Sequence, residues 1–142
     1  MNENELQRFV VAQELRLDDV RAELAAGRKR THWMWFVFPQ LRGLGQSPLA
    51  WHFGIQSRAE ATAYLAHPVL GPRLREWVEL LLQLADRTAH EIFGSPDDLK
   101  LRSCLTLFRE VDGSEGVFGR ALEKYFAGRP DPATLDLLAS PR

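Results

Sequence analysis

Apolar residues recur at spacings of three and four positions along most of this chain, and sustained apolar–polar alternation is absent. The longest such series contains Leu70, Leu74, Trp77, Val78 and Leu81. One face of an α-helix has this spacing because the helix repeats every 3.6 residues, whereas a half-buried strand repeats every two. The pattern therefore predicts an all-α protein whose helices each bury one side.

Capping signals divide the chain into separate helices. Ser57 and Thr88 each precede a glutamate by three residues, which is typical of a capping box at a helix N-terminus. Ser47, Ser95 and Asp131 each precede a proline, and a capping residue before proline is a second typical helix start. These positions predict where most of the helices begin.

The size of the chain is typical of one globular domain. Its 142 residues, 45% hydrophobic and 26% charged, are enough to enclose a core. We predict one all-α domain over residues 1–142, a single compact, orthogonal or irregular bundle of about seven to nine short-to-medium helices. The first twenty residues are too charged for a signal peptide, and no apolar run reaches the roughly 18 residues of a membrane span. The single cysteine, Cys104, is expected in the core, and such cysteine usage fits a cytoplasmic protein.

The charge and the histidines exclude several classes of function. With 18 basic and 19 acidic residues, the net charge of -1 provides no general attraction to nucleic acid or to an anionic membrane. One cysteine is too few for a multi-cysteine zinc site, and the four histidines form neither an HExxH motif nor a pair at helical spacing. We therefore predict no metal site and no cofactor.

The densest hydrophobic stretch is W-M-W-F-V-F at residues 33–38. We predict a short buried helix that starts near Thr31 and is ended by Pro39, although a buried strand has the same pattern. Positions two apart on a helix point about 200° apart. At least one of Trp33 and Trp35 should therefore be buried with its indole N–H paired, while the other lines a cleft.

Polar residues on both sides of the aromatic stretch are candidates for a binding site. Gly43, Gly45 and Ser47 lead into a helix start whose free amides suit an anion, and Lys29 or Arg42 is the expected counter-charge. A plain turn is the alternative for this loop. The basic run that contains Lys29 follows Gly27, so it also fits a simple helix C-terminus.

Four stretches of this sequence carry a family resemblance. They are RFVVAQ at residues 8–13, HWMWFVFPQLRGLG at 32–45, AYLAHPVLGPRL at 63–74 and IFGSPDDLKLRSCLTLF at 92–108. Through them nearly the whole chain resembles the family called domain of unknown function 1810. The resemblance implies a small, all-helical bacterial protein. It brings no activity and no assigned residues.

The matching segments contain more polar residues than packing alone requires, so we predict that several of them meet in one cleft. His32 or Asp98 is assigned as acid or base and Lys100 as charge stabiliser. Binding roles are assigned to Lys29, Trp33, Trp35, Gln40, Gly43, Gly45, Ser47 and Ser103. In the alternative interpretation, the same polar groups only satisfy buried backbone ends between helices.

Two kinds of function stay open on the sequence alone. In the first, the protein is an enzyme that hydrolyses or transfers a group on a nucleotide-like or ADP-ribose-like molecule. In the second, it binds a ligand or a protein without chemistry. The expected partner is a phosphate-bearing small molecule rather than nucleic acid or membrane, and the expected state is a monomer or weak homodimer.

Overall fold

The structure is a computed structural model that describes residues 3–140, with side chains from residue 5 onward. Helices dominate this range, as predicted. They are α1 (Glu3–Glu14), α2 (Leu17–Ala26), α3 (Met34–Val37), α4 (Pro48–His52), α5 (Arg58–Ala66), α6 (Leu70–Gln83), α7 (Ala89–Phe93), α8 (Asp97–Asp112), α9 (Val117–Phe126) and α10 (Pro132–Ala139).

The all-α prediction is confirmed, although residues 3–140 form ten helices rather than seven to nine. The difference lies in short segments, since α3 has 4 residues and α4 and α7 have 5 each. The strand-like pairing in the described range is an isolated parallel bridge between Leu41 and Ile55. No helix within this range is both long and apolar enough to span a bilayer.

Most predicted helix starts are confirmed by side-chain caps. Ser47 and Ser57 accept the backbone N–H three residues later, at 3.1 and 3.2 Å, and Asp131 does the same at 3.0 Å. Thr88 and Glu91 form the complete capping box. Local sequence decides these ends because the capping side chain and the amide that it satisfies belong to the same turn.

The predicted cap at Ser95 is wrong. Helix α8 begins at Asp97, and Pro96 occupies the position before it without a side-chain hydrogen bond. The side chain of His67 caps the start of α6, which the capping patterns in the sequence do not indicate. His67 Nδ1 accepts the N–H groups of Val69 and Leu70, at 3.1 and 3.3 Å, where α6 begins.

Helix α8 is the central element of the hydrophobic core. It packs against α5, α7, α9 and α10, and Leu101, Cys104, Leu105 and Phe108 on it are fully buried. Burial raises the pKa of the Cys104 thiol well above its ordinary value, because a thiolate would lose its hydration there. Cys104 is therefore the core residue that the sequence predicts.

The aromatic stretch enters the core through α3, which starts at Met34 rather than near Thr31. Trp33 is 0% exposed and its Nε1 donates to Glu23 Oε1 at 3.0 Å. Trp35 is only partly buried. The expectation that one tryptophan of this pair is buried with its N–H paired is thus confirmed.

Glu23 on α2 holds the chain that leads into α3. Its carboxylate accepts the N–H groups of Arg30 and Thr31 at 2.6 and 3.0 Å, the Thr31 hydroxyl at 2.7 Å and the Trp33 indole N–H at 3.0 Å. Burial opposes ionisation of this carboxyl, but these hydrogen bonds outweigh burial, so the pKa of Glu23 lies below its ordinary value of 4.5. The charged form of Glu23 is therefore part of the fold.

We predict that Glu23→Ala lowers the free energy of unfolding at pH 7 by about 2–4 kcal/mol, because it leaves the buried Trp33 indole N–H and the partly buried donors of Arg30 and Thr31 unpaired. The folded pKa of Glu23 is depressed, so its contribution is complete above the ordinary value of 4.5 and is lost as the pH falls below it. Urea unfolding at pH 7 and pH 3 measures both effects. The exposed Asp19→Ala on the same helix is the control, with an expected loss below about 1 kcal/mol. A deficit of Glu23→Ala that is as large at pH 3 as at pH 7 would contradict the argument.

The two tryptophans of the aromatic stretch should differ sharply in their contribution to stability. Trp33→Ala removes a fully buried ring and should cost about 3–5 kcal/mol, whereas Trp35→Ala should cost much less because its ring is only partly buried. Denaturant unfolding of both variants measures the difference. Small, equal losses would show that Trp33 does not anchor this part of the core.

Candidate functional site

A small cleft opens between α3, the loop that follows it, α4 and the first turn of α8. Its lining contains Met34, Trp35, Phe38, Gln40, Ala50, Phe53 and Lys100. The walls are therefore mostly aromatic and apolar, and the polar side chains are those of Gln40 and Lys100. The cavity between them has a volume of about 10 Å³, which is close to the space that one water molecule needs and far below the roughly 300–1,000 Å³ of most ligand pockets. A ring would therefore lie across the mouth of this cleft rather than within it.

Two lysines share one carboxylate beside this cleft. Lys29 Nζ lies 2.9 Å from Asp97 Oδ2, and Lys100 Nζ lies 3.7 Å from Asp97 Oδ1. Asp97 and Lys100 meet because they are three residues apart on α8. Lys29 comes from the segment after α2, where its own N–H donates to Ile92 O at 2.7 Å. The group carries two positive charges and one negative, so its net charge is positive.

Both ammonium groups also lie over aromatic rings. Lys29 Nζ is 5.0 Å from the centroid of the Trp33 ring, and Lys100 Nζ is 5.4 Å from that of Trp35. The negative face of an aromatic ring attracts a cation at these distances. The Lys29 side chain is 8% exposed and that of Lys100 is 25% exposed. Lys100 is therefore the more accessible cation of the pair.

Gln40 is held at the cleft by its backbone. Its carbonyl accepts the Ile55 N–H at 2.9 Å, whereas its side-chain amide has no hydrogen-bond partner within residues 3–140. Gly45 lies against that amide: a Cβ at this position would come 3.3 Å from Gln40 Nε2 and 2.5 Å from the Ala50 Cβ. The predicted involvement of Gly45 thus takes the form of close packing in the cleft wall.

Trp35 contributes a second unpaired polar group. Its indole N–H is buried and has no partner among the described residues. A buried donor without a partner costs about 1–3 kcal/mol. Two of the residues that line the cleft, Trp35 and Gln40, thus have side-chain polar groups without a partner among the described residues.

The structure does not bring the two predicted acid–base residues to the cleft. His32 is exposed and is absent from the lining. Asp98 Oδ2 lies 3.3 Å from His90 Nδ1, and Asp98 Oδ1 accepts the N–H of Leu99 at 2.9 Å. The carboxylate next to the cleft is that of Asp97. Sequence reasoning missed it, although its three-residue spacing to Lys100 was a usable signal.

Ser103 and Ser47 also have structural partners. The Ser103 hydroxyl lies 3.1 Å from Asp131 Oδ2 and 3.2 Å from Leu99 O, and its single proton bonds to one or the other of these acceptors. The contact with Asp131 connects α8 to the start of α10. Ser47 caps α4, and Gly43 has a φ of +106°, so it provides the turn. These residues take the structural roles that the sequence analysis held as the alternative.

The predicted counter-charges for an anion on the 43–47 loop are engaged elsewhere. Lys29 pairs with Asp97, as described above. Arg42 Nε donates to Trp51 O at 2.8 Å, and its guanidinium lies 4.8 Å from the centroid of the Trp51 ring. Helix α4 is also only 5 residues long, so its dipole is small. We therefore do not place a phosphate site on this loop.

Within the described residues, no group of three or more His, Cys, Asp or Glu side chains could hold a metal ion. Fold and site thus define a small all-helical protein with an aromatic cleft and a lysine at its rim. The chain belongs to the DUF1810 family, described as "Protein of unknown function", whose model matches residues 3–138. The family resemblance read from the sequence is confirmed.

A solved structure is very similar to this one. It is the crystal structure, at 1.38 Å, of the conserved hypothetical protein Rv1873 from Mycobacterium tuberculosis. The two sequences are 53% identical, the alignment covers 99% of this chain and 100% of that chain, and the TM-score is 0.95. Among curated proteins, none matches this chain.

The neighbouring aspartates of α8 should respond differently to substitution. Asp97→Asn leaves the nearly buried Lys29 ammonium without its counter-charge, and we expect a loss of about 1–3 kcal/mol in unfolding free energy. Asp98→Asn should cost less than about 1 kcal/mol, because the His90 side chain that it faces is 69% exposed. Urea unfolding at pH 7 compares the two variants. Equal losses would mean that the Lys29–Asp97 pair contributes little.

Proposed function

We propose that this protein binds a small phosphate-bearing molecule with a flat ring, of the nucleotide-like or ADP-ribose-like kind, at the cleft between α3, α4 and α8. The ring lies across the mouth of the cleft, against Trp35, and the phosphate lies at Lys100. The observation that carries the proposal is the position of Lys100, a partly exposed cation at the rim of an aromatic cleft.

The charges favour an anion at this rim. Asp97 lies closer to Lys29 than to Lys100, at 2.9 Å against 3.7 Å. One carboxylate cannot neutralise two ammonium groups, so positive charge is left over at the more exposed one. A phosphate oxygen at Lys100 would form a charge-assisted hydrogen bond, which is stronger than a bond between neutral groups.

The size of the cleft favours a ligand that lies across its mouth. The cavity of about 10 Å³ is too small to enclose a ring, so the ring lies over the opening and the phosphate at its edge. Packing a flat ring against Trp35, the partly exposed aromatic side chain of the lining, removes apolar surface from water, at about 25 cal/mol per Å². The ring thus contributes binding free energy through apolar burial, and the phosphate contributes it through its charge.

The contacts support binding better than catalysis. His32 and Asp98 lie outside the lining, and Asp97 is engaged by two lysines. A general acid or base must reach the reacting group within about 3.2 Å or through one water, and no side chain in the lining has that chemistry apart from Lys100. Hydrolysis stays a prediction from the sequence. Phosphorylated metabolites are retained inside cells, so the proposal also favours the cytoplasm.

A thermal-shift screen against nucleotides, sugar phosphates and ADP-ribose tests the proposal. A ligand at 100 times its dissociation constant adds about 2.7 kcal/mol to the stability of the folded state, which raises the melting temperature measurably. We expect at least one compound that has both a ring and a phosphate to stabilise the protein. A complete absence of stabilisation at millimolar concentrations would refute the proposal.

The Lys100→Gln variant tests the position of the phosphate. Removing the ammonium should weaken binding by about tenfold or more, because a hydrogen bond to a charged group is worth about 1.5–3 kcal/mol. Arg120→Gln is the matched control, since Arg120 lies on α9 and pairs with Glu79. Calorimetric titration of both variants with the best compound measures the effect. Equal affinities would place the phosphate elsewhere.

A further inference from the structure

We infer that a second cavity, between residues 41–42, residues 56–58 and the end of α10, binds a small phosphate monoester. Its lining includes Leu41, Arg42, Arg58, Leu137, Leu138 and Ser140. None of the residues that line it lines the cleft beside Lys100. The inference therefore concerns a separate site and goes beyond the proposed function.

The first observation is the size of this cavity. Its volume is about 110 Å³, against about 10 Å³ for the cleft. One water molecule needs about 10–15 Å³ of such space, so the cavity holds several. Pockets that enclose a drug-sized ligand have roughly 300–1,000 Å³. The space thus suits a phosphate group with a short carbon chain.

The second observation is that the walls belong to the packed fold. The Arg42 N–H donates to Ile55 O at 2.8 Å, so the segment that carries Arg42 is fixed beside the one that leads to Arg58. The third wall is the end of α10. The start of this helix is tied to α8, because the Asp131 N–H donates to Thr106 Oγ1 at 2.9 Å. A site with fixed walls loses less freedom when a ligand binds.

The third observation is the charge of the lining. Arg42 and Arg58 line the cavity, and no aspartate or glutamate of the described residues does. Arg42 uses only its Nε in a hydrogen bond, to Trp51 O at 2.8 Å, and Arg58 uses only its Nη1, to Glu110 O at 3.0 Å. Neither forms an ion pair within residues 3–140. A guanidinium has five N–H donors, so most of them remain for a ligand.

A phosphate monoester matches this pair of arginines in charge and in shape. It carries about −1.5 to −2 charges at pH 7, and a guanidinium forms two parallel N–H···O bonds with a phosphate. A carboxylate has one charge and would leave one guanidinium without a partner. The carbon chain of the ester would contact Leu41, Leu137 and Leu138, which form the apolar part of the lining.

Calorimetric titration with n-butyl phosphate, inorganic phosphate and pentanoate tests this inference. Low ionic strength is needed because salt screens partly exposed charges. We expect n-butyl phosphate to bind at one site, several-fold more tightly than inorganic phosphate because its methylenes contact the leucines. It should also bind at least about tenfold more tightly than pentanoate, which lacks the second charge. Equal affinities for n-butyl phosphate and pentanoate would overturn the assignment to a phosphate.

Variants of the lining locate the site. Arg42→Gln and Arg58→Gln should each weaken the binding of n-butyl phosphate by about tenfold or more. Arg87→Gln is the matched control, because it removes the same charge from an exposed arginine outside the lining, and it should change nothing. Ser140→Asp adds a carboxylate at an exposed position of the lining and should weaken binding by repulsion without removing a packed side chain. Melting curves verify that each variant is folded.

Lys100→Gln separates this site from the cleft. It should leave the binding of n-butyl phosphate unchanged, since Lys100 does not line the second cavity. If Lys100→Gln weakens this binding and Arg58→Gln does not, the phosphate lies at the cleft, which overturns this inference and supports the proposed function. If n-butyl phosphate does not bind the wild type at all, this inference is wrong, whereas binding of ring-containing phosphates at the cleft would still support the proposed function.

Discussion

The Glu23 carboxylate is the interaction on which the rest of this structure depends. Four donors from residues 30–33 converge on it, so the chain that leaves α2 is fastened before it enters the aromatic helix α3. The ring of Trp33 is thereby fixed against Phe38 and Phe93, with centroids 6.2 and 6.4 Å away. A buried carboxylate is costly unless it is fully hydrogen-bonded, and here the hydrogen bonds define the path of the backbone.

The hydrogen bonds to Glu23 also position the charged residues beside the cleft. Lys29 directly precedes the segment 30–33, which hydrogen-bonds to Glu23. Its side chain lies over Trp33 and pairs with Asp97 on α8. Asp97 in turn lies near Lys100, one turn further along α8. A chain of contacts therefore runs from α2 through the aromatic segment to the central helix. Lys100 is the last residue in this series of contacts, and its side chain is more exposed than those of Lys29 and Asp97.

The two aspartates at the start of α8 have identical side chains but different neighbours, because their positions on the helix differ. Asp97 and Asp98 are consecutive, so they point about 100° apart. One meets the lysines at the cleft, and the other faces the exposed His90. Asp98 was predicted as a candidate acid or base, whereas Asp97 is the carboxylate beside the cleft, and only the neighbours of α8 distinguish the two positions.

Sequence by itself determined the helical fold, most of the helix starts, the burial of Cys104 and the burial of one tryptophan in the aromatic stretch. These are local properties, since a cap such as Ser57 or Thr88 and its amide lie within one turn, and apolar periodicity marks the buried face of each helix. Trp35, Gln40 and Lys100, which line the cleft, were also among the residues predicted from the sequence, because they lie beside or within the conspicuous motifs. The tertiary structure decided which polar residues meet. Lys29 pairs with Asp97, which lies 68 positions later in the sequence. His32 and Asp98 lie outside the lining of the cleft, and Ser103 hydrogen-bonds to Asp131. Such pairings depend on how separate helices pack, and no local pattern specifies the packing.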